Sequence, residues 1–152
     1  MMEEQIQKIT HKLKIEYILF WGLPLIVILI GEFYSEWVGL YADDIRTAYL
    51  METTGILLAA CCVPLSLKLF SWVLTKKIDL AYFPKALNLY FCWSSVRILL
   101  LEVVALTNIL IYYLTLSNTG LLCALISLTA SLFCIPGEKR LRKELHIDQR
   151  NY

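Results

Sequence analysis

Three charged side chains inside apolar stretches are the residues most able to do chemistry in this chain of 152 residues. Arg97 and Glu102 lie in the stretch SSVRILLLEVV, and Lys68 lies in the stretch PLSLKLF. A charge among leucine, isoleucine and valine must be paired, neutralised or turned toward water, because an isolated charge in hydrocarbon is costly. Paired charges would brace a helix bundle, whereas an unpaired carboxylate would bind a proton or a cation.

Glu102 is the charge that has no inexpensive route to water. If a membrane helix ends near Leu116, Arg97 lies about 28 Å and Glu102 about 21 Å from that end, at 1.5 Å per residue. Arg97 and Lys68 then reach the inner edge of the membrane, where long side chains extend to water. Arg97 and Glu102 are about 140° apart around a helix, so they do not pair directly. The sequence leaves three partners for Glu102: Lys68, polar groups on another helix, or a second subunit.

The remainder of the chain has no motif of catalysis or metal binding. No Gly-rich phosphate loop, H-E-x-x-H or G-x-S-x-G sequence occurs. The cysteines lie in apolar stretches without C-x-x-C spacing, so we expect buried, inert thiols; they are Cys61, Cys62, Cys92, Cys123 and Cys134. Basic residues do not alternate with exposed aromatics, which argues against nucleic-acid binding. The sequence therefore predicts no enzyme, no cofactor and no metal.

The composition places the chain in the membrane class, because 59% of its residues are hydrophobic and only 18% are charged. Apolar runs predict four spans in a single domain, at about 15–34, 47–70, 88–116 and 121–136. The sequence SNTG, residues 117–120, is typical of a turn and divides the last two spans. The predicted fold class is an all-α integral membrane protein with a four-helix bundle.

The distribution of lysine and arginine predicts the direction of these spans. Basic residues precede the first span, separate the second from the third, and follow the fourth, whereas only Arg46 lies between the first and second. Cytoplasmic loops carry the excess of basic residues. We therefore predict that both termini are cytoplasmic in a multi-pass protein of the plasma or inner membrane.

Two further patterns concern how the helices bend and pack. Pro24 and Pro64 lie inside predicted spans, and each frees a carbonyl and favours a bend. Either these carbonyls form a polar pocket with Glu102, or the prolines are unrelated to it. Gly55 and Ala59 have the small-xxx-small spacing that lets helices approach closely, within the chain or in an oligomer.

Three flanking segments have the spacing of short amphipathic helices at the membrane surface. Their apolar faces are Ile6, Ile9 and Leu13; Phe33, Trp37, Tyr41 and Ile45; and Leu141 and Leu145. The basic residues of the last segment are predicted to contact anionic lipid headgroups on the cytoplasmic side; they are Lys139, Arg140, Arg142 and Lys143.

Two functions fit these patterns. The leading hypothesis is a small non-enzymatic subunit, scaffold or accessory of a membrane complex, in which Glu102 finds its cation on another membrane protein. The alternative is a homo-oligomeric transporter or channel in which Glu102 binds a proton or a cation. A channel would need polar residues along one helix face, but Ser94, Asn108 and Thr115 are scattered around the third span.

Overall fold

Helices make up the architecture. The structure, a computed structural model, describes residues 2–78, 82–135 and 137–145, and none of these residues forms a strand. The helices in chain order are α1 (Met2–Phe33), α2 (Ile45–Val73), α3 (Phe83–Thr115), α4 (Asn118–Leu132) and α5 (Glu138–Glu144). A 3₁₀ turn (Ser35–Trp37) follows α1, and a π-helical turn (Leu74–Ile78) extends α2.

Three of these helices are long and apolar enough to cross a membrane, and α4 is a shorter apolar helix of 15 residues. This confirms the prediction of an all-helical chain with membrane-length helices, and it indicates a multi-pass membrane protein. The long helices extend beyond the predicted spans at their N-terminal ends. The helix α4 also begins before its predicted span, at Asn118, but it ends earlier, at Leu132, and Pro136 lies outside the described residues.

The central helix of the bundle is α3. Its residues Leu101, Val104 and Ala105 are fully buried, and it packs against α1, α2 and α4. Contacts between Glu16 and Ser95, and between Ile28 and Tyr113, show that α1 runs parallel to α3. The helices α2 and α4 run antiparallel to α3. The N-terminus, the α2–α3 connection and α5 therefore share one end of the bundle (the termini end), and the other two connections share the opposite end (the hairpin end).

The predicted division of the last two helices at SNTG is confirmed, although the turn itself is formed by Leu116 and Ser117 and residues 118–120 begin α4. Leu116 adopts a left-handed φ of 52° and donates its N–H to the carbonyl of Tyr112, which closes the end of α3. Ser117 then caps α4, because its Oγ accepts a hydrogen bond of 3.2 Å from the N–H of Thr119. The chain can therefore reverse direction within two residues.

Gly55 and Ala59 pack inside the chain. Both are buried on the face of α2 that meets α3. A Cβ on Gly55 would collide with the amide oxygen of Asn108, and Ala59 shares a buried cluster with Val104 and Cys123. The small-residue spacing therefore lets α2 approach α3 closely.

The predicted amphipathic helix over residues 33–45 is wrong. The helix α1 ends at Phe33, and Gly39 adopts a left-handed φ of 76°. The N–H groups of Gly39 and Tyr41 donate to the carbonyls of Tyr113 and Leu114, at 2.8 and 3.0 Å. These carbonyls belong to the last turn of α3, which has no helical donors for them. The loop therefore gains hydrogen bonds that a continuous helix would not make.

The N-terminal and C-terminal stripes are helical, but they do not form separate surface helices. Ile6 and Leu13 belong to α1 itself, and they share a buried cluster with Leu141 and Leu145 around α5. The two stripes therefore bury each other against α3 instead of facing lipid. This arrangement has a lower free energy than two separate surface helices, because each stripe covers apolar surface of the other.

Candidate functional site: a groove between α1 and α3

A groove of about 660 Å³ runs between α1 and α3. Its walls are mainly leucine, phenylalanine, valine and isoleucine, and its polar side chains other than a thiol are Glu16, Ser95 and Glu102. Wall residues such as Leu99, which is 63% exposed, reach the outer surface of the bundle. The groove is therefore open on the side that faces lipid in a membrane.

Glu102 lies in this groove without a partner. Its residue surface is 7% exposed, and its Oε1 has no hydrogen-bond partner among the described residues. The ion pairs in the described part of the chain are Arg140–Glu144, Arg142–Glu3 and Arg142–Glu138. None of them includes Glu102. A buried carboxylate of this kind is costly, because nothing replaces the water that it has lost.

A second carboxylate lies toward the termini end of the groove. Ser95 donates a hydrogen bond of 2.7 Å from its Oγ to Oε2 of Glu16, and this bond joins α3 to α1. The groove therefore presents two carboxylates as hydrogen-bond acceptors, those of Glu16 and Glu102. The complementary ligand is a cation that donates hydrogen bonds.

The spacing between α1 and α3 follows from their contacts. At the hairpin end, Gly31 lets the ring of Tyr113 approach so closely that a Cβ would lie 2.7 Å from it. The Tyr113 hydroxyl donates to the carbonyl of Ile28 at 3.3 Å. Farther along, Phe20 packs into a buried cluster with Ile98 and Leu101. These contacts hold the two helices together and leave the groove along one side of their junction.

Arg97 does not extend to water, so that expectation is wrong. It is only 4% exposed, and its guanidinium carbon lies 3.8 Å from the centre of the Phe70 ring. Its Nε has no hydrogen-bond partner among the described residues. Because α5 packs over this end of the bundle, the face of the aromatic ring takes the place of water around the cation. Arg97 therefore faces α2, not Glu102.

Lys68 lies on an exposed part of α2, outside the groove. None of the ion pairs among the described residues includes it. Of the partners considered for Glu102, Lys68 of the same chain is therefore excluded in this arrangement. A polar side chain of the groove does not supply one either, since the hydroxyl that lines the groove, that of Ser95, is bonded to Glu16.

The cysteine prediction is wrong for two residues. Cys123 and Cys134 are buried, but Cys61 and Cys92 are exposed, on α2 and in the groove. Both lie on faces that the bundle leaves uncovered, where an apolar thiol suits a lipid environment. Within the described ranges, no group of three His, Cys, Asp or Glu side chains is placed to hold a metal.

The predicted bends and lipid contacts remain predictions. The helices α1 and α2 continue through Pro24, which is buried, and Pro64, which is exposed and does not line the groove.

The basic residues of α5 are of two kinds: two arginines form ion pairs, and two lysines are exposed. Arg140 binds Glu144, and Arg142 binds Glu3 and Glu138, whose hydrogen bonds raise the pKa of Arg142. Lys139 and Lys143 are exposed to the surroundings.

Sequence reasoning did not identify Glu16 and Ser95 as part of the site. Glu16 stands at the edge of the first predicted span, where it looks like an ordinary flanking charge. One signal was present: Phe20, which lines the groove, and Glu16 lie one helical turn apart on one face of α1. Pairing that face with Ser95 requires knowing that α1 and α3 run side by side.

Comparison of the chain with protein-family models finds no match, and comparisons with curated proteins and with solved structures find none either.

Proposed function

We propose that this chain is a non-enzymatic subunit or accessory of a membrane complex, and that the groove between α1 and α3 is its docking site. The observation that carries the proposal is the buried, unpaired carboxylate of Glu102 in a groove that opens toward lipid. The partner we propose is a membrane helix that carries one lysine or arginine. Its side chain would supply the donors and the positive charge that the groove lacks.

The membrane arrangement that we propose has four spans and two cytoplasmic termini. Three helices have membrane length, and α4, whose 15 residues span about 22 Å at 1.5 Å per residue, is extended by the apolar residues 133–135. The termini end carries Lys76, Lys77 and the basic residues of α1 and α5, whereas the hairpin end carries Arg46 alone among the described lysines and arginines. The excess of basic residues assigns the termini end to the cytoplasm.

The energetics favour a protein partner. A carboxylate in an apolar wall is stabilised when a cation with matching donors enters, and removing one member of such a buried pair costs about 3–5 kcal/mol. The walls of the groove would at the same time bury apolar helix surface by close packing. The transporter alternative has less support, because Asn108, the next buried polar side chain of α3, packs against Gly55 of α2 and does not continue the groove.

Purification from membranes in mild detergent tests the proposal. The wild-type chain is expected to retain a stoichiometric membrane partner, and Glu102→Gln is expected to lose about tenfold or more of it, since a tenfold loss corresponds to only about 1.4 kcal/mol. Glu52→Gln is the matched control, because it also removes a carboxylate from a membrane helix but lies outside the groove. Equal retention by both variants would contradict the proposal.

A further inference from the structure

We propose that the helix that occupies the α1/α3 groove is α2 of a second copy of this chain, and that Lys68 of that copy binds between Glu102 and Glu16. This inference rests on the proposed function of the groove as a docking site. It names the partner, which three observations on α2 support: an uncovered apolar ridge, a single cation on that ridge, and a matching depth.

The ridge is the face of α2 that the bundle leaves exposed. Its members recur every three or four residues, as one face of a helix requires; they are Leu57, Cys61, Leu65, Lys68 and Trp72. The opposite face of α2 is buried in the bundle. Lys68 is the only charge on the ridge, and the only carboxylate of α2 is Glu52, near its other end. A cationic apolar ridge and an acidic apolar groove are therefore complementary in charge and in apolar character.

Lys68 on the ridge and Glu16 in the groove lie at the same depth in the bundle. Gly55 of α2 lies against Asn108 of α3, so these residues mark one level of the bundle. Lys68 is 13 residues from Gly55, and Ser95 is 13 residues from Asn108, in both cases toward the termini end. Each is about 20 Å from the shared level at 1.5 Å per residue. A second copy with the same orientation in the membrane therefore presents Lys68 at the level of Ser95 and its partner Glu16.

Side-chain direction brings the ammonium group of Lys68 toward Glu102 as well. Glu102 lies about 10 Å nearer the hairpin end than Lys68, at 1.5 Å per residue. Side chains lean toward the N-terminus of their helix, so Lys68 leans toward the hairpin end and Glu102 toward the termini end. A lysine stem of about 6 Å closes most of this distance. Its ammonium group, with three donors, then lies between the two carboxylates.

The interface joins two different surfaces, because the ridge of one copy meets the groove of the next. Each added copy leaves one groove and one ridge free, so the assembly is either a closed ring or an open chain. Only a ring satisfies every Glu102. We therefore infer a cyclic assembly whose subunits share one orientation in the membrane.

Disulfide cross-linking tests the contact directly. The exposed thiols Cys61 and Cys92 and the half-buried Cys62 are first replaced by serine. One tagged chain then carries Leu65→Cys on the ridge, and a differently tagged chain carries Leu99→Cys in the groove. Thr129→Cys on α4 is the matched control for the groove position, because Thr129 is exposed and lies at about the same depth as Leu99. Gly120 contacts Asn108, so these two residues share one level of the bundle. Thr129 lies as many residues from Gly120 as Leu99 lies from Asn108, in both cases toward the termini end.

The expected yield of the 65–99 product in membranes is about tenfold above that of the 65–129 product, as a preference of about 1.4 kcal/mol gives. Lys68→Ala should lower the 65–99 yield about tenfold, and Lys68→Arg should restore it. Equal yields for the two cysteine pairs, or a yield that does not change in Lys68→Ala, would overturn the inference.

The two proposals fail in different ways. If Lys68→Ala leaves self-association unchanged while Glu102→Gln releases another membrane protein, the second copy is the wrong occupant and the docking function stands. If Glu102→Gln changes neither self-association nor the retained proteins, both proposals fail. Since Lys68 is exposed and unpaired among the described residues, its substitutions should leave the unfolding midpoint of the detergent-solubilised chain unchanged, which controls for folding.

Discussion

Buried polar atoms without hydrogen-bond partners mark the places where single residues affect the stability of the bundle and its association with partners. Among the described residues they include Nε of Arg97, Oδ1 of Asn108 and Oε1 of Glu102. Arg97 is compensated by the face of Phe70. The amide nitrogen of the Asn108 side chain donates a hydrogen bond of 2.9 Å to the carbonyl of Val104. Of the two charged groups in this set, Glu102 has no such compensation, so a partner outside the chain has the most to stabilise there.

Gly120 is the single residue whose size most strictly limits helix packing. A Cβ at this position would lie 2.8 Å from the carbonyl oxygen of Asn108 and 2.9 Å from the backbone nitrogen of Tyr112. Backbone atoms cannot rotate away, so Gly120→Ala should destabilise the bundle by about 1–3 kcal/mol despite the better helix propensity of alanine.

Gly22 provides the control, because a Cβ there meets nothing within 4 Å. Gly22→Ala should be neutral or stabilise α1 by about 0.5–1 kcal/mol. Unfolding of both variants in detergent, followed by circular dichroism, measures the difference. A Gly120→Ala protein as stable as Gly22→Ala would show that α3 and α4 do not approach as closely as described.

Among the elements, α5 depends most on its neighbours. It has only seven residues, too few for a stable isolated helix. Leu141 and Leu145 bury its apolar face against α1 and α3, and the hydroxyl of Tyr90 donates to Oε2 of Glu144 at 2.6 Å. Tertiary contacts therefore supply the stability that the local sequence lacks.

Truncating Leu141 should release this helix. We expect Leu141→Ala to weaken the docking of α5 by about 2–4 kcal/mol, because a fully buried leucine leaves a cavity. Hydrogen exchange of the amides in Glu138–Glu144 should then accelerate, while exchange in α2 and α3 stays the same. Lys139→Ala, which alters an exposed side chain of the same helix, should leave all of these rates unchanged. Unaltered exchange of α5 in Leu141→Ala would rule out this mode of attachment.

Local sequence signals predict some elements of this fold and fail for others. Ser117 specifies its turn through atoms a few residues away, so SNTG predicts the break between α3 and α4, although α4 begins at Asn118 and not at residue 121. The stripe at Leu141 and Leu145 predicts a helix with one apolar face, but periodicity does not identify what covers that face. The spacing of aromatic residues after Phe33 predicts a helix, but the segment forms a loop whose hydrogen-bond partners, the carbonyls of Tyr113 and Leu114, lie far away in sequence.

The same limit applies to the candidate site. The apolar neighbours of Glu102 in sequence predict that it is buried, and its buried carboxylate agrees with that expectation. Its lack of an in-chain partner depends on how α1, α2 and α3 are arranged, which no local pattern contains. Lys68 and Glu102 share a chain, but they lie on different sides of the bundle.

For the whole molecule, the orientation in the membrane is the first testable consequence. Single cysteines at the exposed positions Lys8, Leu40, Lys77, Asn118 and Lys143, each in a chain without other exposed thiols, should react with a membrane-impermeant maleimide according to their side. In intact cells we expect labelling at Leu40 and Asn118 only, because the excess of basic residues keeps the other three in the cytoplasm. Labelling of Lys8 or Lys143 from outside would contradict the proposed topology.

We propose that Glu102 serves association and not the folding of the single chain. Glu102→Leu separates these roles, because it removes the charge and fills the same space with an apolar side chain. Two quantities are measured on one preparation: the free energy of unfolding of the dispersed chain in detergent, and the size of the assembly in native membrane discs. We predict that the dispersed chain becomes more stable by about 1–3 kcal/mol, since an unpaired buried carboxylate is removed, while the assembly is lost. A less stable dispersed chain, or an assembly of unchanged size, would contradict the claim.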